Sequence, residues 1–342
     1  MFSKEEVLKT ILRIHREMNL GSYIEPKIVD VVYREDSDFL LIIAEDRPDK
    51  AAVLGPGGWA LKRVRDELGI KQIAARTLND IEIKRRRIKS AILHFLKVAK
   101  TLNEDLRALI LTRIIPILKN ELNYPKRELY EANPLPESAV IVAYSGGVDS
   151  TSALTVLKRA GLNPVSVTVD PGPRILPERV KSLIKAIVDK LDVPHRFIRG
   201  DKEAFEEIFR AGVEGRIHPC GSCSNQITNS VLEFAEKVQI PVISSGDLLP
   251  TGSHSLHFLK EGYLKMNILA ALAYSKIDSI LLAQSIGYPK VNLTYGCPFI
   301  KALHKKHKSF RYASIQRVLR EIRANILEPN QALQYIKSII KS

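Results

Sequence analysis

Residues 139–154 read Ala139-Val140-Ile141-Val142-Ala143-Tyr144-Ser145-Gly146-Gly147-Val148-Asp149-Ser150-Thr151-Ser152-Ala153-Leu154. The apolar run Ala139–Ala143 predicts a strand buried on both faces, the kind found in parallel sheets. It breaks at Ser-Gly-Gly and resumes as a small, apolar, helix-like segment. A glycine turn therefore separates a strand from a helix N-terminus, where free backbone N–H groups and the helix dipole make an anion site. Asp149 and Ser150 add a metal-capable carboxylate and a hydroxyl donor at the same spot. The stretch is built to hold phosphate.

Outward from it, Pro164–Val169 predicts the next strand and ends in Asp170-Pro171-Gly172. Residues 178–191 have the three- and four-residue apolar spacing of an amphipathic helix. His195–Ile198 and Ile240–Ser244 predict two further strands, the latter ending Ser245-Gly246-Asp247. Strands alternating with helices predict an α/β fold with a doubly wound parallel sheet and ligand at the carboxyl ends of its strands. Asp170 fits a nucleotide contact or a plain turn former before Pro-Gly equally well. No G-x-x-x-x-G-K-S/T occurs, which disfavours a Walker-type kinase or GTPase.

Ser145-Gly146-Gly147-Val148-Asp149-Ser150 resembles the S-G-G-x-D-S loop of the PP-loop ATP pyrophosphatases and matches it at every defined position. In that superfamily a substrate oxygen attacks the α-phosphate of ATP, pyrophosphate leaves, and a nucleophile displaces AMP from the activated carbon. The resemblance implies that Ala143, Ser145, Gly146, Gly147, Asp149 and Ser150 hold the ATP phosphates and Mg2+, with Asp170, Gly246 and Asp247 nearby. One departure is plain. The superfamily usually carries His after the glycine of the fourth strand, followed by an Asp-Asp pair; here Asp247 takes the His position and the pair is absent. Asp247, His254 and His257 are candidates for the missing contact, or ordinary loop residues.

Three cysteines are present, Cys220, Cys223 and Cys297. The N-terminus lacks a signal-type apolar core and no run reaches membrane-spanning length, so cytoplasmic thiols and no membrane partner are expected. C-x-x-C in that setting marks metal or redox chemistry more often than a bridge. Tetrahedral Zn2+ would need a fourth ligand, for which His218 is a candidate, whereas three thiolates suit a 4Fe-4S cluster with one open iron. Three unrelated cysteines, the pair in a buried turn, are the plain alternative. Together with the PP-loop, the pair after the third strand and Cys297-Pro298 beyond the fifth resemble the tRNA-thiolating branch, the two-thiouridine and two-thiocytidine synthetases, over roughly residues 134–325. That resemblance implies an AMP-forming tRNA sulfurtransferase whose catalytic residues are Cys220, Cys223, Cys297 and Asp149. The terminal zinc-binding clusters of many such enzymes have no cysteines here.

The N-terminal region supplies a second motif. Phe39–Ala44 predicts a strand, and Gly55-Pro56-Gly57-Gly58 precedes a helix bearing Lys62, Arg63 and Arg65, with Gln72–Arg76 as a later strand. The order resembles a KH domain, whose G-x-x-G loop clamps single-stranded nucleic acid; Gly55, Gly58, Lys62 and Arg63 are then RNA contacts. Trp59 suits base stacking or local packing. Residues 83–133 predict a helical connector with Leu93, Leu96, Leu102, Leu106, Ile110, Ile114 and Leu118 at helical spacing. The expected organisation is 1–82 KH-like, 83–133 connector and 134–342 catalytic.

Net charge is +14, which suits a polyanion partner. From Lys301 onward ten Lys/Arg face two Glu. His304-Lys305-Lys306-His307-Lys308 and Arg311 lie just past Cys297, where RNA backbone would enter, and Lys301 is a candidate phosphate contact. Expected partners are tRNA or another structured RNA, a sulfur donor (sulfide, a carrier-protein thiocarboxylate or a persulfide) and a second copy of the chain. Two rival functions fit the same residues: a PP-loop amide ligase with structural metal at the cysteines, and a non-enzymatic RNA-binding protein switched by nucleotide.

Overall fold

The computed structural model describes residues 2–20, 25–289, 291 and 293–342. The chain begins with α1 (Lys4–Glu17), held at its start by a reciprocal Ser3/Glu6 capping box. Next come β1 (Ile28–Arg34), β2 (Phe39–Ala44), α2 (Arg47–Leu54), α3 (Trp59–Glu67) and β3 (Gln72–Thr77). β2 pairs antiparallel with β1 and parallel with β3. Val7, Ile11, Leu40, Ile42, Val53, Leu61 and Val64 form the core of this unit. The turn between α2 and α3 carries Gly55, Gly57 and Gly58 at φ +64, +60 and +81, a backbone path that residues with a Cβ reach only under strain.

α4 (Leu78–Ala99) follows, then α5 (Glu104–Leu109), which passes through a π-helical turn at Ile110–Ile114 into α6 (Ile115–Glu121). These helices form one wall of the main core. Ile88, Phe95, Leu106, Ile110, Ile114 and Leu118 pack in the same cluster as Val140, Val142 and Leu154. Leu93 departs from the expected buried face and is 69% exposed. The buried stripe of α4 runs Ile81, Lys84, Ile88, Ala91, Phe95 and Ala99, and a residue two places past Ala91 falls on the opposite side.

The remaining elements are β4 (Ile141–Ala143), α7 (Val148–Arg159), β5 (Val165–Asp170), α8 (Glu178–Lys190), β6 (His195–Arg199), α9 (Lys202–Val213) and α10 (Cys220–Val238). They continue with β7 (Val242–Ser245), β8 (Leu256–Lys260), β9 (Tyr263–Met266), α11 (Ile268–Ala271), α12 (Lys276–Ser285), α13 (Pro298–Lys306), α14 (Ser309–Arg323) and α15 (Pro329–Lys341). The six-stranded sheet has the order β6-β5-β4-β7-β9-β8 and is parallel except for β8. Strand order reverses at β4, which pairs with β5 on one side and β7 on the other, so a crevice opens beyond its carboxyl end. Side chains alternate as a twice-covered strand requires. Val142 faces the helical wall, while Ile141 faces Phe205, Val231 and Phe299.

Buried ion pairs bind the N-terminal unit and connector to the rest. Arg76 of β3 pairs with Glu328, the residue capping α15, and both side chains are under 10% exposed. Arg127 reaches Glu121 at 2.7 Å and Asp278 of α12 at 3.1 Å, and Lys84 reaches Glu121 at 2.9 Å. No helix among the described residues is long and apolar enough to cross a membrane.

Candidate functional site

The turn 145–147 leads directly from β4 into α7, with Gly147 as N-cap and no side chain capping the first turn. The N–H groups of that turn thus lack intrahelical partners, as an anion site needs. Within the turn the hydroxyls of Ser145 and Ser150 lie 3.1 Å apart, and Ser150 Oγ donates to the Gly147 carbonyl at 3.0 Å. Tyr288 fixes the turn from outside by donating to the Gly146 carbonyl at 2.7 Å. Gly246, after β7, presses on the loop: a Cβ there would stand 2.5 Å from Ser150 N and 2.7 Å from the Asp149 carbonyl carbon. Only a glycine fits between β7 and the start of α7.

Asp149 lies in the first turn of α7 and makes one strong contact, Oδ2 to Lys276 Nζ at 2.7 Å. Its Oδ1 is buried with no hydrogen-bond partner among the described residues. A buried carboxylate oxygen without a donor suits a divalent cation, so the residues here fit Mg2+. Lys276 opens α12 and is itself buried; its ammonium is held charged, pushed above the ordinary lysine range by Asp149 against the cost of burial. Position and charge of Lys276 are absent from the sequence motif, because a lysine at a helix start carries no signal of its own.

The cysteine pair is helical. Cys220 and Cys223 are in the first turn of α10, where three-residue spacing puts both on one helix face, and Cys297 caps α13. All three line one cavity with Ser145, Gly147, Asp149 and Ser150. Its volume is about 550 Å3, within the range of small-molecule sites. Gly246, Asp247, Lys265, Lys276, Arg317, Glu321 and Tyr335 complete the polar lining. Two helix N-termini would favour thiolates, yet burial dominates. It pushes the Cys220 thiol up, with a further push from Cys297, and raises Cys223 to about 12. Both thiols are therefore protonated at neutral pH, and a bound metal would release their protons.

Whether these thiols fit metal depends on its size. No three His, Cys, Asp or Glu side chains among the described residues stand close enough to hold a single ion. His218 is turned away, its Nε2 against Ser314 Oγ at 3.3 Å and its ring against Phe310, so it does not complete a zinc site. Three thiols spread around one cavity fit a cluster of several atoms better than one ion.

Other expected residues are placed apart. Asp170 is not part of the cavity wall: Oδ1 accepts from Gly172 N at 2.9 Å and Oδ2 pairs with Lys181 at 2.8 Å. Asp247 does line the cavity, accepting from Ser245 Oγ at 2.8 Å. His254 and His257 are exposed and outside it. In the basic run, His304 is fully buried, with Nε2 on Ser314 Oγ at 2.9 Å, and Arg311 is spent on the His304 and Ser342 carbonyls. Lys305 and Lys306 remain exposed, and Lys301 bonds Thr294 Oγ1 at 3.3 Å. On α3, Arg63 pairs with Glu17 at 2.5 Å, while Lys62 stacks 4.9 Å from the ring of Trp59, which is 53% exposed.

No family model matches the chain. An uncharacterized protein of Methanocaldococcus jannaschii is 27% identical over 261 residues, 76% of this chain and 94% of the relative. The tRNA-specific 2-thiouridylases MnmA of Bartonella tribocorum and Lactobacillus helveticus are 25% and 30% identical over 138 and 128 residues. Those stretches span about a third of this chain and a third of each enzyme. The solved U34-tRNA thiolase NcsA from Methanococcus maripaludis, with its 4Fe-4S cluster, aligns over 68% of this chain and 80% of its own at TM-score 0.37 and 15% identity. The chain thus shares weak, partial similarity with tRNA-thiolating enzymes on a mixed α/β, mostly parallel framework.

Proposed function

We propose that this protein activates a carbonyl of a tRNA base with ATP and replaces its oxygen with sulfur. One observation carries the reading: a single cavity is lined by both the S-G-G-x-D-S turn and all three cysteines. Activation and sulfur delivery need adjacent sites, because an adenylated base is open to hydrolysis during any journey between them.

In the proposed reaction the base oxygen attacks the α-phosphorus and pyrophosphate leaves. The first-turn amides of α7 and the hydroxyls of Ser145 and Ser150 bind the departing charge; Asp149 would hold Mg2+, which would supply further charge neutralisation when bound. Sulfur then attacks the activated carbon, the C–O bond breaks, and AMP leaves with the former base oxygen. With hydrosulfide as donor, a proton is lost and no electrons are exchanged. A 4Fe-4S cluster held by Cys220, Cys223 and Cys297 would supply, when bound, an iron without a protein ligand to carry sulfur. Arg317 and Lys265 line the cavity, paired with Glu321 at 3.3 Å and Asp247 at 3.5 Å, and would have to exchange these partners to meet RNA phosphate.

The N-terminal unit is proposed to bind RNA as a KH-like module. Support comes from the order helix, G-x-x-G turn, helix and from the exposed Trp59 with its neighbour Lys62; Gly58 itself is buried against Asn330, so the exposed side of the turn is the proposed contact face. Exposed ion pairs such as Arg63–Glu17 are weak enough to yield to phosphate.

The test is anaerobic purification with iron, zinc and acid-labile sulfide measured in the native protein and in Cys297→Ala. About four irons and matching sulfide per chain, lost in the variant, are expected. Zinc without sulfide, unchanged in Cys297→Ala, would move the reading to the amide ligase.

A further inference from the structure

We propose that Lys276 is a phosphate-binding residue of the nucleotide site, held on Asp149 until Mg2+-nucleotide arrives and then transferred to the polyphosphate. The inference deepens the ATP-dependent reading above and rests on it.

Four observations converge. Lys276 Nζ lies 2.7 Å from Asp149 Oδ2, and both side chains line the cavity. Asp149 Oδ1, in the same cavity, has no hydrogen-bond partner among the described residues. Lys276 is also set rigidly. Its N–H donates to the Ile326 carbonyl at 2.7 Å, and α12 starts on a Ser275/Asp278 capping box whose Asp278 is anchored by Arg127. Finally, Tyr335 of α15 lines the same cavity as the ammonium.

The physical argument concerns charge balance. Without ligand, an aspartate in the first turn of α7 would repel phosphate from the amides beside it. Lys276 neutralises it and keeps the loop intact. A divalent cation on Asp149 takes over that role, and the ammonium is freed next to the phosphate oxygens, where a charge-assisted hydrogen bond is strong. The pair therefore makes nucleotide binding depend on the cation.

The test is equilibrium binding of pyrophosphate and ATP by calorimetry, with and without Mg2+, to native protein, Asp149→Asn, Lys276→Met, and the double variant Lys276→Met/Asp149→Asn. Native protein is expected to bind ATP with Mg2+ at least tenfold more tightly than without it. Asp149→Asn, which releases the ammonium, should bind cation-free pyrophosphate several-fold more tightly than native protein. The double variant leaves no unpaired charge and so remains folded even where Lys276→Met does not; it should bind cation-free pyrophosphate about tenfold more weakly than Asp149→Asn. Equal pyrophosphate affinity in those last two proteins overturns the role of Lys276 alone. Absence of any ATP binding by the native protein overturns the nucleotide reading and this role with it.

Discussion

Gly246 and Gly221 show how much one missing Cβ can mean at one site and how little at another. A methyl at Gly246 would strike the backbone of Ser150 at 2.5 Å, so the loop or β7 must move. At Gly221, between the paired cysteines, no atom lies within 4 Å of the added carbon. Gly246→Ala is therefore expected to weaken ATP binding more than tenfold and to cost on the order of 1–3 kcal/mol of stability. Gly221→Ala should leave the fold intact and add about 0.5 kcal/mol, since alanine suits a helix better than glycine. Calorimetry and urea unfolding read both. His304 makes a prediction in pH. It is fully buried beside His218 and Arg311, and burial lowers it to about 4. The folded state thus refuses a proton that the unfolded chain accepts below about 6.5. The stability due to neutral His304 is whole above that pH and is lost as pH falls from 6.5 toward 4, on the order of 2–3 kcal/mol. In His304→Gln the slope of unfolding free energy over that window should flatten.

Elements tell which features were legible in the chain and which were not. The strands β2 and β5 and the helix α8 came out where the patterns put them, because each is a local run with its own period. The S-G-G-x-D-S turn was legible for the same reason: the six residues Ser145 to Ser150 contain its whole logic. The cysteine pair opens a helix although Cys, Gly and Ser are poor helix formers; tertiary contacts around Val231 and Phe209 override that preference. Lys276, Arg317 and Tyr335 were not legible. They come from α12, α14 and α15, all beyond the last strand, and only the packing of these helices against the sheet brings them to one cavity. His304 misled because a basic run reads as surface, while the helix turns one of its members inward.

α15 is the element that joins most of these parts. Asn330 and Leu333 pack against Gly58 and Gly57; Tyr335 lines the cavity with Lys276; Ser338 accepts from Tyr295 N at 2.9 Å beside Cys297. Its N-cap Glu328 is bound to Arg76 of β3 within the interior. Removing one partner leaves a buried charge, so Arg76→Met or Glu328→Gln should each lower stability by about 3–5 kcal/mol. The double variant Arg76→Met/Glu328→Leu should recover most of it. Denaturant midpoints of the four proteins check this.

At the scale of the whole molecule, the N-terminal unit, the helical wall and the α/β sheet are tied together by buried charge pairs. Arg127, Glu121, Lys84 and Asp278 link three segments that are distant in sequence. The sequence marked these segments as separate units because their motifs differ, and it could not show that their charges close on one another. Such a molecule holds the proposed RNA-binding loop at a fixed distance from the cavity. An RNA bound at both would be positioned by the framework, with the base to be modified presented to the nucleotide turn and the thiols together.

The most direct test of that account is a single-turnover assay under anaerobic conditions, with bulk unmodified tRNA, ATP, Mg2+ and sulfide, counting pyrophosphate released and sulfur gained by the RNA. The account predicts that the native protein gives one sulfur per pyrophosphate. It predicts pyrophosphate without sulfur for Cys297→Ala, and neither product for Asp149→Asn. Sulfur incorporation that persists in Cys297→Ala would contradict the claim that activation and sulfur delivery share this cavity.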